Sequence, residues 1–181
     1  MNSKAIFGYI AVVIITIILF IVAISFTRRD NPGESEPEVR VSDFTGTTSD
    51  AVLTARGKIV GNEEHKGYQI IVNSKERVML TLDTYDNTVI SRRSYPNTEA
   101  AYIEFVTALD KLGLSDINES DLTGTCATGT VTTYEFNDGV DTIARQWRTS
   151  CGSSSKRNFA PDNLFRAQIP DYREIRSSIT L

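Results

Sequence analysis

The chain has few of the residues that most often carry out catalysis or bind metals. Its 181 residues include one histidine, His65, and two cysteines, Cys126 and Cys151. A histidine-based triad needs a positioned Ser or Cys partner, and the sequence has neither a Gly-x-Ser-x-Gly motif nor a glycine-rich phosphate loop. A metal site needs more ligands than these three side chains. We therefore predict no catalytic residue, no cofactor and no metal site, and we interpret His65 as a solvated turn residue.

An excess of positive charge is also missing, since the chain carries a formal net charge of −4. The candidates for a basic patch are Arg92, Arg93, Arg145, Arg148 and residues 156–157. We interpret them as part of a surface of mixed charge. The charge balance predicts no nucleic-acid partner.

Long hydrophobic runs are absent except at the N-terminus, where residues 5–26 form 22 residues without a charge. A helix of that length covers roughly 33 Å, enough to cross a bilayer core of about 30 Å. The run predicts a transmembrane anchor that binds the lipid bilayer. A cleavable signal peptide is the alternative, but the run is longer than usual and no small-x-small cleavage site follows. Lys4 before the run and Arg28-Arg29 after it nearly balance, so charge alone leaves the orientation undecided.

Residues 27–50 are rich in Pro, Gly, Ser, Thr and acid, and three arginines face six acidic residues there. Such a segment buries too little apolar surface to offset its ordering entropy, which predicts a flexible acidic stalk. Residues 51–181 then have the length of one ordinary domain.

The pattern in that domain predicts an α+β fold with a mostly antiparallel sheet of about five or six strands. Alternation places Tyr68, Ile70 and Val72 on one strand face, and Val78, Leu80 and Leu82 likewise on the next strand. A helix is predicted over about 97–112, with Asn97 as N-cap and Gly113-Leu114 closing a Schellman motif. Its expected apolar stripe is Ala101, Phe105, Ala108, Leu109 and Leu112. Residues 159–175 predict a short C-terminal helix that Pro170 ends.

The stretch 126–151 predicts a β-hairpin that turns at Asp138-Gly139, a strong signal for a two-residue loop. In the resulting register the numbers of paired residues add up to 277, which places Cys126 opposite Cys151. The same register puts Tyr134, Phe136, Ile143 and Trp147 on one face. We predict a Cys126–Cys151 disulfide, with unpaired cytosolic thiols as the alternative. The disulfide would require an oxidising compartment, which orients the chain with residues 1–4 in the cytoplasm and 51–181 outside the cell membrane.

Acidic residues cluster at Asp116, Glu119 and Asp121 with a spacing faintly like that of a calcium loop. The central glycine and the final bidentate glutamate of such a loop are missing, so we interpret the segment as a solvated connector. The triplet 118–120 also fits the acceptor pattern for N-glycosylation.

Four stretches carry a resemblance to a known group of proteins: "YPNTEAAYIEFVTALDKLGL", "GTCATGTVTTYEF", "RQWRTSCG" and "LFRAQIPDY". In their order and spacing they resemble uncharacterised, single-span, membrane-anchored extracytoplasmic proteins of small-genome candidate-phylum bacteria (Saccharibacteria-like). The resemblance covers most of Tyr68 to Tyr172. It implies an anchored exported domain and supplies no activity and no catalytic residues.

Three functions are therefore considered. The first is a binding or interaction module at the cell envelope, with another envelope protein or a glycan as partner. The second is a cell-envelope enzyme that uses carboxylates, which a pair of acids converging in a cleft would favour. The third is a pilin-like subunit, which is disfavoured because "RRDNPGESEP" stops the apolar helix instead of continuing it. We expect the binding module.

Overall fold

Six antiparallel strands form one sheet in the order β4-β3-β2-β1-β5-β6. A computed structural model of the chain describes residues 40–46, 48–115, 126–152, 154, 160–179 and 181. The strands are β1 Ser49–Arg56, β2 Lys66–Asn73, β3 Glu76–Asp83, β4 Thr88–Pro96, β5 Val131–Asp138 and β6 Asp141–Thr149. The helices are α1 Glu99–Lys111, α2 Asp162–Ala167 and α3 Tyr172–Ser177, and 3-10 turns span Val41–Phe44 and Asn62–Glu64. The predicted α+β class and strand number are confirmed.

The predicted anchor, residues 5–26, and most of the predicted stalk lie outside the described residues. Within the described ranges, no helix combines the length and the hydropathy needed to cross a bilayer. The folded unit begins before the predicted boundary at Ala51, because Val41 is fully buried and its backbone N–H donates to Ser115 Oγ at 2.9 Å. The last part of the predicted stalk therefore belongs to the domain.

The two faces of the sheet follow from its register. Leu53 pairs with Ile70 on one side and Tyr134 on the other, and these side chains share what we call the covered face. The neighbouring row, Val52 with Ile71 and Glu135, defines the open face. The covered face packs against α1 and α2 in the main apolar cluster, which includes the fully buried Tyr102, Val106, Leu109, Tyr134, Phe136 and Phe165.

The apolar side chains of β2 and β3 do not share one face. Ile70 pairs with Met79, and Ile71 pairs with Val78, so Tyr68, Ile70 and Val72 lie on the covered face. Val78, Leu80 and Leu82 lie on the open face and form a second, smaller cluster with Ile71. The alternation predicted within each strand is confirmed. It could not show whether the two apolar sets lie on the same face of the sheet, because that depends on the register between β2 and β3.

The N-terminus of α1 differs by one residue from the prediction. Thr98 is the N-cap, and its side chain accepts a hydrogen bond from the Ala101 N–H. The side chain of Asn97 instead donates to the Asn73 carbonyl at 2.6 Å. The predicted apolar stripe is also partly wrong, since Ala101 and Leu112 are exposed and the buried residues are Tyr102, Phe105, Val106 and Leu109.

The predicted end of this helix is confirmed. Gly113 has φ +87° and its N–H donates to the Asp110 carbonyl, while the Leu114 N–H donates to the Leu109 carbonyl. These two bonds are the Schellman pattern, and Leu114 is fully buried as the motif requires.

The β5–β6 hairpin turns one residue later than predicted. Asp138 pairs with Asp141, which leaves Gly139 and Val140 as the two-residue loop. Gly139 takes φ +62° and Val140 does not take a positive φ, which is the pattern of a type II′ turn with glycine first. The predicted register is therefore wrong, and an irregularity at Phe136/Asn137 shifts it further. Trp147 pairs with Thr133, which places it on the open face, away from Tyr134.

The predicted disulfide between Cys126 and Cys151 is confirmed, with a Cα–Cα distance of 5.8 Å. The disulfide lies beyond Val131–Thr149, the last residue pair of the β5–β6 ladder. Residues 127–129 form a bend between Cys126 and Thr130, and the Thr130 carbonyl accepts a hydrogen bond from the Ser150 N–H at 2.9 Å. The pairing was thus predicted from a register that the structure does not contain. Near the C-terminus, two short helices, α2 and α3, replace the single predicted one, and Pro170 lies between them.

Candidate functional site

A groove of about 330 Å³ crosses the open face of the sheet. Its floor contains Thr54 of β1, Gln69 of β2 and Thr133 of β5, which the register places side by side. The Gln69 amide donates to the Thr54 hydroxyl at 2.9 Å. The floor is therefore made of uncharged groups that both donate and accept hydrogen bonds.

One wall of this groove is apolar and the other is polar. Leu80 and Leu82 of β3 form the apolar wall together with Val89 of β4, whose side chain is 52% exposed. On the opposite side Glu135 and Arg145 form an ion pair at 2.5 Å. The groove thus combines apolar surface, neutral hydrogen-bonding groups, the Glu135–Arg145 ion pair and the exposed Arg56, a composition typical of a binding site.

Asp50 lies close to the polar wall. Asp50 of β1 pairs with Asn137 of β5, whose side-chain amide donates to the Asp50 carboxylate at 2.9 Å. Glu135, two residues before Asn137 on β5, is the diagonal neighbour of Asp50. Burial raises the pKa of Asp50, the Asn137 hydrogen bond opposes this rise, and the negative charge of Glu135 adds to it. Two acidic side chains therefore approach each other on the open face, although Glu135 lines the groove and Asp50 does not.

The interpretation of His65 as a solvated turn residue is wrong. The side chain is 4% exposed, and its ring stacks on that of Tyr85 with centroids 3.9 Å apart and an interplanar angle of 14°. Within the described part of the chain, its Nδ1 atom has no hydrogen-bond partner. The 3-10 turn Asn62–Glu64 places the ring there, because the Tyr85 N–H donates to the Asn62 side chain and the Thr84 N–H donates to the His65 carbonyl.

The acidic cluster at Asp116, Glu119 and Asp121 and the triplet 118–120 lie outside the described residues. The residues that are described contain no group of three or more His, Cys, Asp or Glu side chains able to hold a metal ion. Asp83 pairs with Lys66, which lowers the pKa of Asp83.

Among the described residues, the arginines considered for a basic patch do not converge, and residues 156–157 lie outside the described ranges. Arg92 on the edge strand β4 binds both carboxylate oxygens of Glu76 at 2.9 Å. The pKa of Glu76 is lowered, first by a hydrogen bond from Ser94 and then by Arg92. Arg145 and Arg148 point to opposite faces, since Arg145 pairs with Glu135 and Arg148 with Thr132.

The groove could not be found from the sequence, because its residues come from all six strands and none belongs to a motif. Their joint position depends on pairings between distant strands, such as Thr54 with Thr133. Comparison with known proteins gives no match: no family model, no curated protein and no solved structure is significantly similar to this chain.

Proposed function

We propose that the chain is a membrane-anchored extracytoplasmic binding module whose open-face groove holds a glycan of the cell envelope. The observation that carries the proposal is the floor of Thr54, Gln69 and Thr133. Sugar hydroxyls also donate and accept hydrogen bonds, so an uncharged polyhydroxylated chain satisfies these groups without burying a charge. Val89, with 52% of its side chain exposed, offers apolar surface beside Leu80 and Leu82 to the carbon-bound faces of a sugar ring.

The extracytoplasmic location is supported by the disulfide between Cys126 and Cys151, because such bonds persist in oxidising compartments. The full chain, expressed in a bacterial host and alkylated without reductant, should yield these two cysteines as one linked peptide pair. Protease added to spheroplasts should remove residues 51–181. Free thiols together with protease resistance would place the domain in the cytoplasm and end this part of the proposal.

Glycan binding is tested by calorimetry with oligomers of N-acetylglucosamine and the full chain in phosphatidylcholine nanodiscs. Thr133→Val and Gln69→Leu should each weaken binding by roughly fivefold to tenfold, since each removes a neutral hydrogen bond. Thr132→Val is the matched control: it makes the same change one residue away, on the covered face. If the three variants bind alike, or if no saturable binding occurs, the groove is not a glycan site.

A carboxylate hydrolase is the second candidate, and the specific observation that favours it is the approach of Asp50 and Glu135. An acid with a raised pKa beside a second carboxyl group is an arrangement that glycoside cleavage uses. Incubation with the same oligomers should then release shorter products, and Asp50→Asn should abolish the release. Binding without cleavage by the unaltered chain supports the module and excludes this alternative for that substrate.

A further inference from the structure

Three arginines from different elements face one pocket on the helix side of the sheet. Arg148 belongs to β6, Arg166 to α2 and Arg176 to α3, and all three line a cavity of about 140 Å³, here called the arginine pocket. Arg148 lies opposite Thr132, in the row that includes Ala55, so the pocket and the open-face groove lie on opposite faces.

The charges in the arginine pocket do not cancel. Asp162 accepts hydrogen bonds from Arg148 at 2.7 Å and from the Tyr134 hydroxyl at 2.9 Å, and Arg166 approaches its other oxygen at 3.5 Å. Arg176 donates to the Ile179 carbonyl at 2.7 Å. No carboxylate in the described ranges forms an ion pair with Arg176, and Asp162 is the one acidic side chain among the described residues that line the cavity, where Leu181 also lies.

Two of the three guanidinium groups are held in place by aromatic rings. Arg166 lies over the Tyr172 ring, 5.5 Å from its centroid, and Arg176 lies over the Tyr68 ring at 5.8 Å. The two tyrosine hydroxyls are 3.0 Å apart. Because stacking already fixes these long side chains, less conformational entropy remains to be lost when a ligand binds.

The disulfide supports the rim of the pocket. The Ser150 hydroxyl, next to Cys151, accepts a hydrogen bond from the Thr130 N–H at 2.9 Å, and the residues Thr130, Thr132 and Ser150 line the cavity. A covalent bond between Cys126 and Cys151 holds this strand end against the turn that precedes Thr130. The pocket therefore has a positively charged base and a rim of residues that carry hydroxyl groups.

We propose that the arginine pocket binds a phosphate group. Guanidinium forks match the oxygen spacing of phosphate, and they bind it with two parallel hydrogen bonds each. A carboxylate has only two oxygens to offer, whereas three arginines and several hydroxyls present more donors than two oxygens can accept. A volume of about 140 Å³ holds one small oxyanion, and it is well below the roughly 300–1,000 Å³ of sites for drug-sized ligands.

The phosphate has two possible sources with the same chemistry: free inorganic phosphate and the phosphodiester of a lipid headgroup. Calorimetry with the full chain in a neutral detergent distinguishes them, using inorganic phosphate in one arm and glycerophosphoglycerol, the deacylated headgroup of phosphatidylglycerol, in the other. Glycerol replaces the ligand in the blank titration. Saturable binding in either arm supports the proposal and identifies the source, whereas heat equal to the blank in both arms overturns it.

Variants distinguish phosphate binding in the arginine pocket from a general effect of the protein's net charge. Arg176→Gln and Arg166→Gln should each weaken phosphate binding about tenfold, since each removes a charged hydrogen-bond donor. Arg145→Gln is the matched control, because it removes the same charge from β6 on the opposite face. Equal losses in all three variants would show a general charge effect and refute the pocket.

A variant that keeps the charge provides a second measurement if Arg166→Gln lowers the folded fraction. Arg166→Lys retains the positive charge and removes the fork, so affinity should fall while the circular dichroism spectrum stays unchanged. Unchanged affinity in Arg166→Lys would contradict recognition by a guanidinium fork. Thr133→Val, which tests the groove, should leave phosphate binding unaltered, so the two proposals can fail separately.

Discussion

The two faces of the sheet are built from the same strands, and yet they differ in what packs on them. The covered face carries aromatic and aliphatic side chains that α1 and α2 seal into one cluster. The open face has a small apolar cluster around Val78, Leu80 and Leu82, beside neutral polar groups and an ion pair. The difference teaches that residue type within a strand does not decide which face becomes the core. The helices decide it.

The largest expected effect comes from one substitution made on both faces. Leu53→Ala, at a fully buried site on the covered face, should lower the free energy of unfolding by about 3–5 kcal/mol. Leu80→Ala on the open face should cost about 2 kcal/mol, because this side chain belongs to the smaller apolar cluster and loses fewer packing contacts. Urea unfolding of both variants measures the gap. Equal losses would show that the open face is as tightly covered as the other.

The disulfide should contribute next. Replacing Cys126 and Cys151 by serine removes a link across 25 residues, which in the chain-entropy model lowers stability by about 3 kcal/mol. The link closes one end of the sheet and touches neither Leu53 nor Leu80 in the described contacts, so the difference between those two variants should persist in the serine background. A collapse of that difference would mean that the disulfide supports one face selectively.

The opposite end of the hairpin gives a smaller effect. Gly139→Val forces a β-branched side chain into φ +62° and should cost about 1–2 kcal/mol. The control is Val140→Thr at the neighbouring loop position, which is 99% exposed and should be neutral. A silent Gly139→Val would mean that the turn adopts another conformation.

The smallest effect concerns charge on the open face. Burial raises the pKa of Asp50 against its hydrogen bond from Asn137, and Glu135 raises it further, so the folded state favours the neutral form. The contribution of Asp50 to stability is therefore full below the ordinary pKa of an aspartate and is lost as the pH rises through the raised value. Asp50→Asn should match the unaltered chain near pH 3 and be more stable at pH 7.

Asp83→Asn is the control of opposite sign. Lys66 lowers the pKa of Asp83, so the stabilisation is present above the ordinary aspartate value and is lost as the pH falls through the lowered one. This variant should be less stable than the unaltered chain at pH 7 and equal to it in strong acid. Thermal unfolding across pH measures both, and equal signs for the two variants would contradict these assignments.

The sequence predicts a structural feature well where one residue type is enough to specify it. Gly113 and Leu114 end α1 as expected, since a left-handed residue and a buried apolar one are both readable from the sequence. The beginning of α1 was less clear because Asn97 and Thr98 are both good caps, and the Asn73 carbonyl binds the side chain of Asn97.

The hairpin shows the limit of such signals. Asp138-Gly139 marks a tight turn correctly, but glycine occupies the first loop position and Asp138 remains in β5. The structure offers a physical reason, because the Thr48 hydroxyl donates to the Asp138 carboxylate at 2.7 Å and the Gly139 N–H donates to the Thr48 carbonyl. A contact with a residue far away in the chain thus shifted the register.

By itself, the sequence determined which segments become strands and where α1 stops, because propensity and capping act over short stretches. Only the tertiary structure decided which side of each strand is covered, and it alone brought Arg148, Arg166 and Arg176 to one pocket. Those outcomes depend on strand register and helix packing, which balance contributions from the whole domain and which no local pattern encodes.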